Sequence, residues 1–235
     1  MGKSANPQIR KSQIANRKVP FCYLLFAICY LLFAVLLLAA AAYWGPWVDH
    51  DAAALKLSGQ DMGEFVKFIP EISARQVRFP RQLFYLPPFV CAICMVLLAA
   101  NQHLVYPRWL RVGMLGLAVI LLPGLLPPVW SHPKEWFAAE YRLQGIALAL
   151  GAMFIMAHGL FRNVSTPTLA LILGVLALTG LVPVQWAFWV IKPRVWAVYD
   201  TPTVRLGWGL WLSTAAWAGL AISSVATWVI AKTSQ

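Results

Sequence analysis

The sequence predicts an all-α polytopic membrane protein: six transmembrane helices in one bundle, with repeated helical hairpins as a candidate internal plan. Three observations carry that expectation. Apolar runs of about 20 residues, the length that crosses a bilayer core, recur along the 235-residue chain. Only 11% of its residues are charged and 60% are hydrophobic, against about a quarter charged in soluble domains, and the mean hydropathy is +0.68. All eight acidic residues fall outside the apolar runs and thread to one side of a membrane.

The basic segment 1–20 holds Lys3, Arg10, Lys11, Arg17 and Lys18, and the first apolar run, 21–44, follows it. That run exceeds the roughly 7–15 residues of a signal-peptide core, so it reads as an uncleaved first span. A long outer loop, 45–83, comes next. The further spans are read at 84–104, 109–129, 143–161, 168–190 and 206–231, with 232–235 as a short tail, so the transmembrane domain is 21–231.

This threading puts Lys3, Arg10, Lys11, Arg17, Lys18, Arg108, Arg111, Arg162 and Lys232 at the inner side, with no acid among them. Asp49, Asp51, Asp61, Glu64, Glu71, Glu135, Glu140 and Asp200 lie outside. Lysine and arginine in short loops set orientation, so both termini are expected in the cytoplasm and the membrane is read as a bacterial plasma membrane. The net charge of +11 is then topogenic, and no nucleic-acid partner is expected. Tryptophans 44, 47, 130, 136, 186, 189, 196, 208 and 211 fall near the outer boundary, where amphipathic rings favour the headgroup level.

Gly124-Leu-Leu-Pro127-Pro-Val-Trp130 and Gly180-Leu-Val-Pro183-Val-Gln-Trp186 share the frame Gly-Leu-x-Pro-x-x-Trp. The frame suggests duplicated hairpins, or two helix ends with one bilayer-edge composition. Pro127 and Pro183 are expected to kink or end their helices. Small residues at spacings of three or four, at Gly113 and Gly116, at Gly145, Ala149 and Ala152, and at Ala215 and Gly219, allow close helix contact within the chain or between chains.

The threaded membrane interior contains no Asp, Glu, Lys or Arg, which argues against an autonomous ion-coupled carrier or proton pump. The chain has no His-Glu-x-x-His, Gly-x-Ser-x-Gly or phosphate-binding loop. Cys91-Ala-Ile-Cys94 reads as two small apolar residues of a buried helix. His103 and His158 lie near the inner ends of their spans, but a two-haem cytochrome needs a second intramembrane pair, so no cofactor is expected.

The polar chemistry is concentrated outside. Asp61-Met-Gly-Glu64 resembles a capping box opening a short amphipathic helix, with Met62, Phe65, Val66 and Ile69 on one face and Pro70 ending it. Arg75, Arg78 and Arg81 follow, and His132, Glu135 and Glu140 stand in a later outer loop. Asp61, Glu64, Arg75, Arg78, Arg81, His132, Glu135 and Glu140 are therefore the candidate recognition residues.

Three functions remain open from sequence. One is a non-enzymatic membrane subunit of a larger assembly, with lipids and other membrane subunits as partners. Another is a solute-binding transport component gated by the first outer loop; six spans with such a loop resemble, in architecture alone, the substrate-binding membrane subunits of energy-coupling-factor transporters. The third is an outer-leaflet enzyme acting on a lipid-linked substrate through Asp61, Glu64, His132, Glu135 and Glu140.

Overall fold

The computed structural model describes residues 7–51, 56–74, 76–126, 138–199 and 204–233, with side chains described from residue 26 onward. It is mostly helical (81%). Helices α1 (Pro7–Trp44), α4 (Leu86–Ala100), α5 (Arg108–Leu121), α6 (Arg142–Met156), α7 (Thr166–Tyr199) and α8 (Trp208–Thr233) form the bundle. Two short helices, α2 (Gly59–Phe65) and α3 (Pro70–Ser73), belong to the first long loop. Five helical stretches are long and apolar enough to cross a membrane: Phe26–Trp44, Arg81–Ala100, Arg108–Leu125, Thr166–Tyr199 and Trp208–Thr233. The sixth expected span is not among them: α6 ends after 15 residues at Met156, and a 3-10 turn, His158–Phe161, follows its C-cap Ala157.

α4 is the central helix. Every residue from Val90 to Ala99 is buried, including the free thiols Cys91 and Cys94, and the Cys91 thiol donates to the Leu36 carbonyl of α1 at 3.4 Å. Its start is set by Pro87 in the first turn, where a missing N–H costs nothing. Its end is set by Asn101, which leaves the helical conformation and donates from Nδ2 to the Val164 carbonyl at 2.7 Å.

Arg111, expected only as an orientation charge, also holds this end together. Its guanidinium donates to the carbonyls of Ala99 (2.8 Å), Asn101 (2.6 Å), Leu104 (2.7 Å) and Tyr106 (3.2 Å). Carbonyls orphaned at a helix C-terminus are thereby satisfied by a cation, the sign the helix dipole favours there.

α6 is tied to α4 at both ends. Arg81, just before α4, donates to the carbonyl and carboxylate of Glu140, just before α6. At the far ends, Arg162 Nε donates to Gln102 Oε1 at 2.8 Å and Gln102 Nε2 to Asn163 Oδ1 at 2.7 Å. Residues 140–162 thus traverse the same depth of the bundle as residues 81–102.

α7 departs furthest from expectation. It runs through Pro183 and Pro193 as a single 34-residue helix and does not end near residue 190. At 1.5 Å per residue it is about 51 Å long, roughly 20 Å more than a hydrocarbon core. The excess buries Val184, Ala187, Phe188, Ile191 and Val195 in a second core outside the bundle. Thr179, four residues before Pro183, donates its hydroxyl to the Val175 carbonyl at 2.9 Å. The two Gly-Leu-x-Pro-x-x-Trp frames differ locally: Gly124 lies in the 3-10 turn Leu122–Leu125, whereas Gly180 lies within α7.

The second core belongs to a folded cap. Three short strands, β1 (Pro46–Asp49), β2 (Leu57–Ser58) and β3 (Arg205–Leu206), form an antiparallel sheet in the order β2-β1-β3, a departure from the all-α expectation. The sheet joins the loop after α1 to the loop before α8. Gly207 must be small here, because a Cβ would lie 2.0 Å from the Pro46 carbonyl oxygen. Trp47, Val48, Met62, Val66, Ile69 and Phe84 are fully buried against the top of α7. Trp47 is therefore a core residue and not an interfacial anchor, while Trp44, Trp186, Trp189, Trp208 and Trp211 are exposed.

Candidate functional site: an ion-pair cluster beneath the cap

The cap helix starts three residues before the expected place. Ser58 is the N-cap of α2 and Asp61 its N3 residue: the Asp61 N–H donates to Ser58 Oγ at 3.2 Å, and the Ser58 N–H returns to Asp61 Oδ2 at 2.9 Å. Asp61 therefore closes the capping box and does not open it. This register turns Met62, Val66 and Ile69 into the cap core and leaves Glu64 facing the bundle. The helical run continues as a 3-10 turn, Val66–Phe68, and stops at Ile69, which is extended before Pro70; Pro70 itself stands in the first turn of α3.

Glu64 is the hub of the cluster. Its Oε1 accepts from the Tyr85 hydroxyl at 2.5 Å and from Arg81 Nη1 at 3.3 Å. Its Oε2 pairs with Lys67 Nζ at 2.5 Å and accepts from the Tyr141 hydroxyl at 3.4 Å. Lys67 Nζ donates to the Tyr141 oxygen at 2.8 Å and lies 3.9 Å from Glu140. Lys67 Nζ and the Arg81 guanidinium stand 5.1 and 5.3 Å from the centre of the Tyr141 ring, within cation–π range. The Arg81 and Glu64 side chains are only 10% and 15% exposed.

Electrostatically the cluster closes on itself. Two carboxylates, Glu64 and Glu140, face two cations, Lys67 and Arg81. Burial lowers the Lys67 pKa, but the bonds with Glu64 and Tyr141 outweigh it and hold the ammonium above the usual lysine range. The Tyr141 phenol is pushed up by burial, against the pull of Lys67, with Glu140 and Glu64 adding to burial. Glu64 takes four donors, which fills the acceptor sites of a carboxylate. A general base or metal ligand needs a free lone pair, so Glu64 could serve as either only by breaking these bonds.

Of the sequence candidates, Glu64, Arg81 and Glu140 meet here. Asp61 is occupied in the capping box, and Arg78 is exposed and makes none of the cluster's bonds. Arg75, His132 and Glu135 lie outside the described residues. Sequence reasoning missed Lys67, Tyr85 and Tyr141. Lys67 was within reach, three residues after Glu64 on one helical face. The tyrosines were not, because their contacts with Glu64 span 21 and 77 residues. Among the described residues, no three His, Cys, Asp or Glu side chains gather to hold a metal ion. Asp49 pairs with Lys56 at 2.9 Å, and the His50 ring stacks on Tyr199, so both carry contacts within the cap.

No known family, curated protein or solved structure matches this chain. Geometry alone must therefore speak for the cluster, and it describes a clamp. Glu64, Lys67 and Arg81 fasten the cap to the starts of α4 and α6.

Proposed function

We propose that the protein is a non-enzymatic, multi-pass membrane subunit of a larger assembly, presenting a fixed cap on the outer face and a glycine-bearing helix surface to a partner within the membrane. In this reading residues 142–161 make the sixth crossing. Both termini lie on the cytoplasmic side of a bacterial plasma membrane, opposite the cap.

The observation that carries the reading is the placement of the glycines. Gly180 receives the Trp217 ring, Gly151 receives Leu122 and Gly63 receives Tyr85, so each is small for a reason within the chain. Gly113 and Gly116 on α5 and Gly145 on α6 meet no described atom within 4 Å of a built Cβ. Glycine inside a helix costs about 1 kcal/mol relative to alanine. Three such positions on the outer surface of two adjacent helices find their use when another helix approaches closely.

Two further features support a subunit over a gated carrier or an enzyme. The first outer loop is anchored by fully buried Trp47, Met62, Val66 and Ile69, which suits a platform better than a moving gate. The carboxylate of Glu64, only 15% exposed, is saturated by its own neighbours.

A photo-crosslinking amino acid at position 116 or 145, activated in native membranes, tests the proposal. One discrete protein adduct is expected from at least one position. Lipid adducts alone from both positions would overturn it.

A further inference from the structure

A groove of about 760 Å³ runs between α7 and α8, on the half of the pair that holds the start of α7 and the end of α8. Leu171, Val175 and Leu178 form one rim and Ile222 and Val225 the other, each more than half exposed. Gly174 and Ser224 lie between the rims, and a Cβ built on Gly174 would stand 3.7 Å from the Ser224 Cβ. The Ser224 hydroxyl donates to the Leu220 carbonyl at 2.7 Å, so it asks nothing of an occupant. The groove therefore offers hydrocarbon along its length.

Its extent and its charge select the occupant. From Ala170 to Leu178 it covers about 12 Å of helix rise, close to one leaflet of a roughly 30 Å hydrocarbon core. Beyond that the two helices close on each other: Gly180 receives the Trp217 ring, and Gln185 Nε2 donates to Thr214 Oγ1 at 2.7 Å. A partner helix crossing the bilayer would need a seam through the whole core, whereas an acyl chain needs one leaflet. At the other end the groove reaches Trp228, and Lys232 Nζ lies 4.2 Å from the centre of the Trp228 ring, within cation–π range. Lys232 is exposed, and none of the described ion pairs includes it. The segments on this side of the bundle, 1–20, 101–108, 157–167 and 231–235, contain no Asp or Glu, so an anion for Lys232 comes from outside the chain. Ala170 stands in the second turn of α7, and the positive end of that helix dipole adds the same sign beside the mouth.

We propose that this groove holds one acyl chain of an anionic glycerophospholipid, with its phosphate against Lys232 and the Trp228 indole N–H. The lipid comes from the leaflet on the C-terminal side, the cytoplasmic one in the orientation proposed above. Basic pockets between membrane helices on that side suit anionic headgroups. Phosphatidylethanolamine fits the groove equally well but brings its own ammonium to Lys232. Seating the lipid needs no partner chain, so its test is independent of the glycine surface on α5 and α6.

The test is titration of the delipidated full-length protein in detergent with palmitoyl-oleoyl-phosphatidylglycerol, read by intact-complex mass spectrometry, with palmitoyl-oleoyl-phosphatidylethanolamine as comparator. One phosphatidylglycerol per chain is expected on the wild type, in preference to phosphatidylethanolamine. Lys232→Gln should weaken its retention about fivefold and remove the preference, while Lys232→Arg keeps both. Gly174→Leu, which puts a side chain into the groove, should abolish retention. Its lipid-free form should melt no lower than the wild type, because a Cβ there makes only ordinary contact and leucine favours a helix over glycine. Equal retention of the two lipids by the wild type, or of phosphatidylglycerol by Lys232→Gln, would mean an ordinary boundary lipid and overturn the proposal. A wild type that retains neither lipid, or a Gly174→Leu variant that still holds phosphatidylglycerol, would overturn it as well. A photo-crosslinking residue at position 222 that yields a discrete protein adduct in native membranes would assign the groove to a partner helix instead, with the same consequence.

Discussion

Replacing Glu64 with alanine tests the clamp at its hub. The substitution strips Arg81, Lys67, Tyr85 and Tyr141 of a common acceptor at once. Arg81 suffers most, because its side chain is 10% exposed and keeps only the Glu140 carbonyl and carboxylate at 3.2 and 3.4 Å. Breaking a buried ion pair from one side costs about 3–5 kcal/mol. Glu140 is 49% exposed and Lys67 27%, so water reaches part of the cluster and the lower end, about 3 kcal/mol, applies. For a chain of this size that is a fall of about 6–12 °C in melting temperature. Cys29, Cys91 and Cys94 are buried free thiols, so a thiol-reactive fluorophore reports unfolding without an added label. Glu64→Ala with Arg81→Ala should lose less than the two single losses summed, since the pair vanishes together. A drop under about 2 °C for Glu64→Ala, or strict additivity in the double variant, would refute a clamp.

Other expectations follow from the same contacts. Gly207→Ala places a Cβ 2.0 Å from β1 backbone, whereas Gly180→Ala meets the Trp217 ring at 2.9 Å, so the first should destabilise more than the second, which should cost about 1–3 kcal/mol; melting curves rank them. Gly116→Ala should raise the stability of the isolated chain by about 0.5–1 kcal/mol, and Gly116→Leu should release a partner from native complexes, seen as a loss of co-purifying protein. The Lys67 pKa is raised by its partners, so its contribution is complete below about pH 10.4 and is lost as pH rises through the higher folded value. The Asp49 carboxyl is held low by Lys56, so its contribution is present above about pH 3.9 and is lost as pH falls through the lower folded value. The melting-temperature gap between wild type and Lys67→Met should accordingly stay flat from about pH 6 to 9 and narrow above about pH 10.5.

The bundle was legible because its signal is local. A run of apolar residues between prolines and charges marks α4 whatever surrounds it, and the expected span 84–104 differs from Leu86–Ala100 by only a few residues. The cap was not legible, for reasons that can be named. Strands of two to four residues are too short to show alternation, and β1 finds β3 more than 150 positions away. Proline costs about 3 kcal/mol inside a helix, which argues for ending α7 near Pro183. The sequence does not reveal that Val184, Ala187, Phe188, Ile191 and Val195 recover that loss against the first outer loop. The same distance problem divides the cluster. Acidic and basic candidates stand out as polar residues between apolar runs, but which of them meet depends on how α2 docks. That docking in turn rests on Ser58, and not Asp61, capping the helix.

Gentle extraction from native membranes, followed by intact-mass measurement of the complex, tests the central claim most directly. A stoichiometric set of other chains, held by the wild type and lost with Gly116→Leu, is the expected result. A wild-type chain that leaves the membrane alone, with no protein partner at any detergent strength that preserves its fold, would contradict the account.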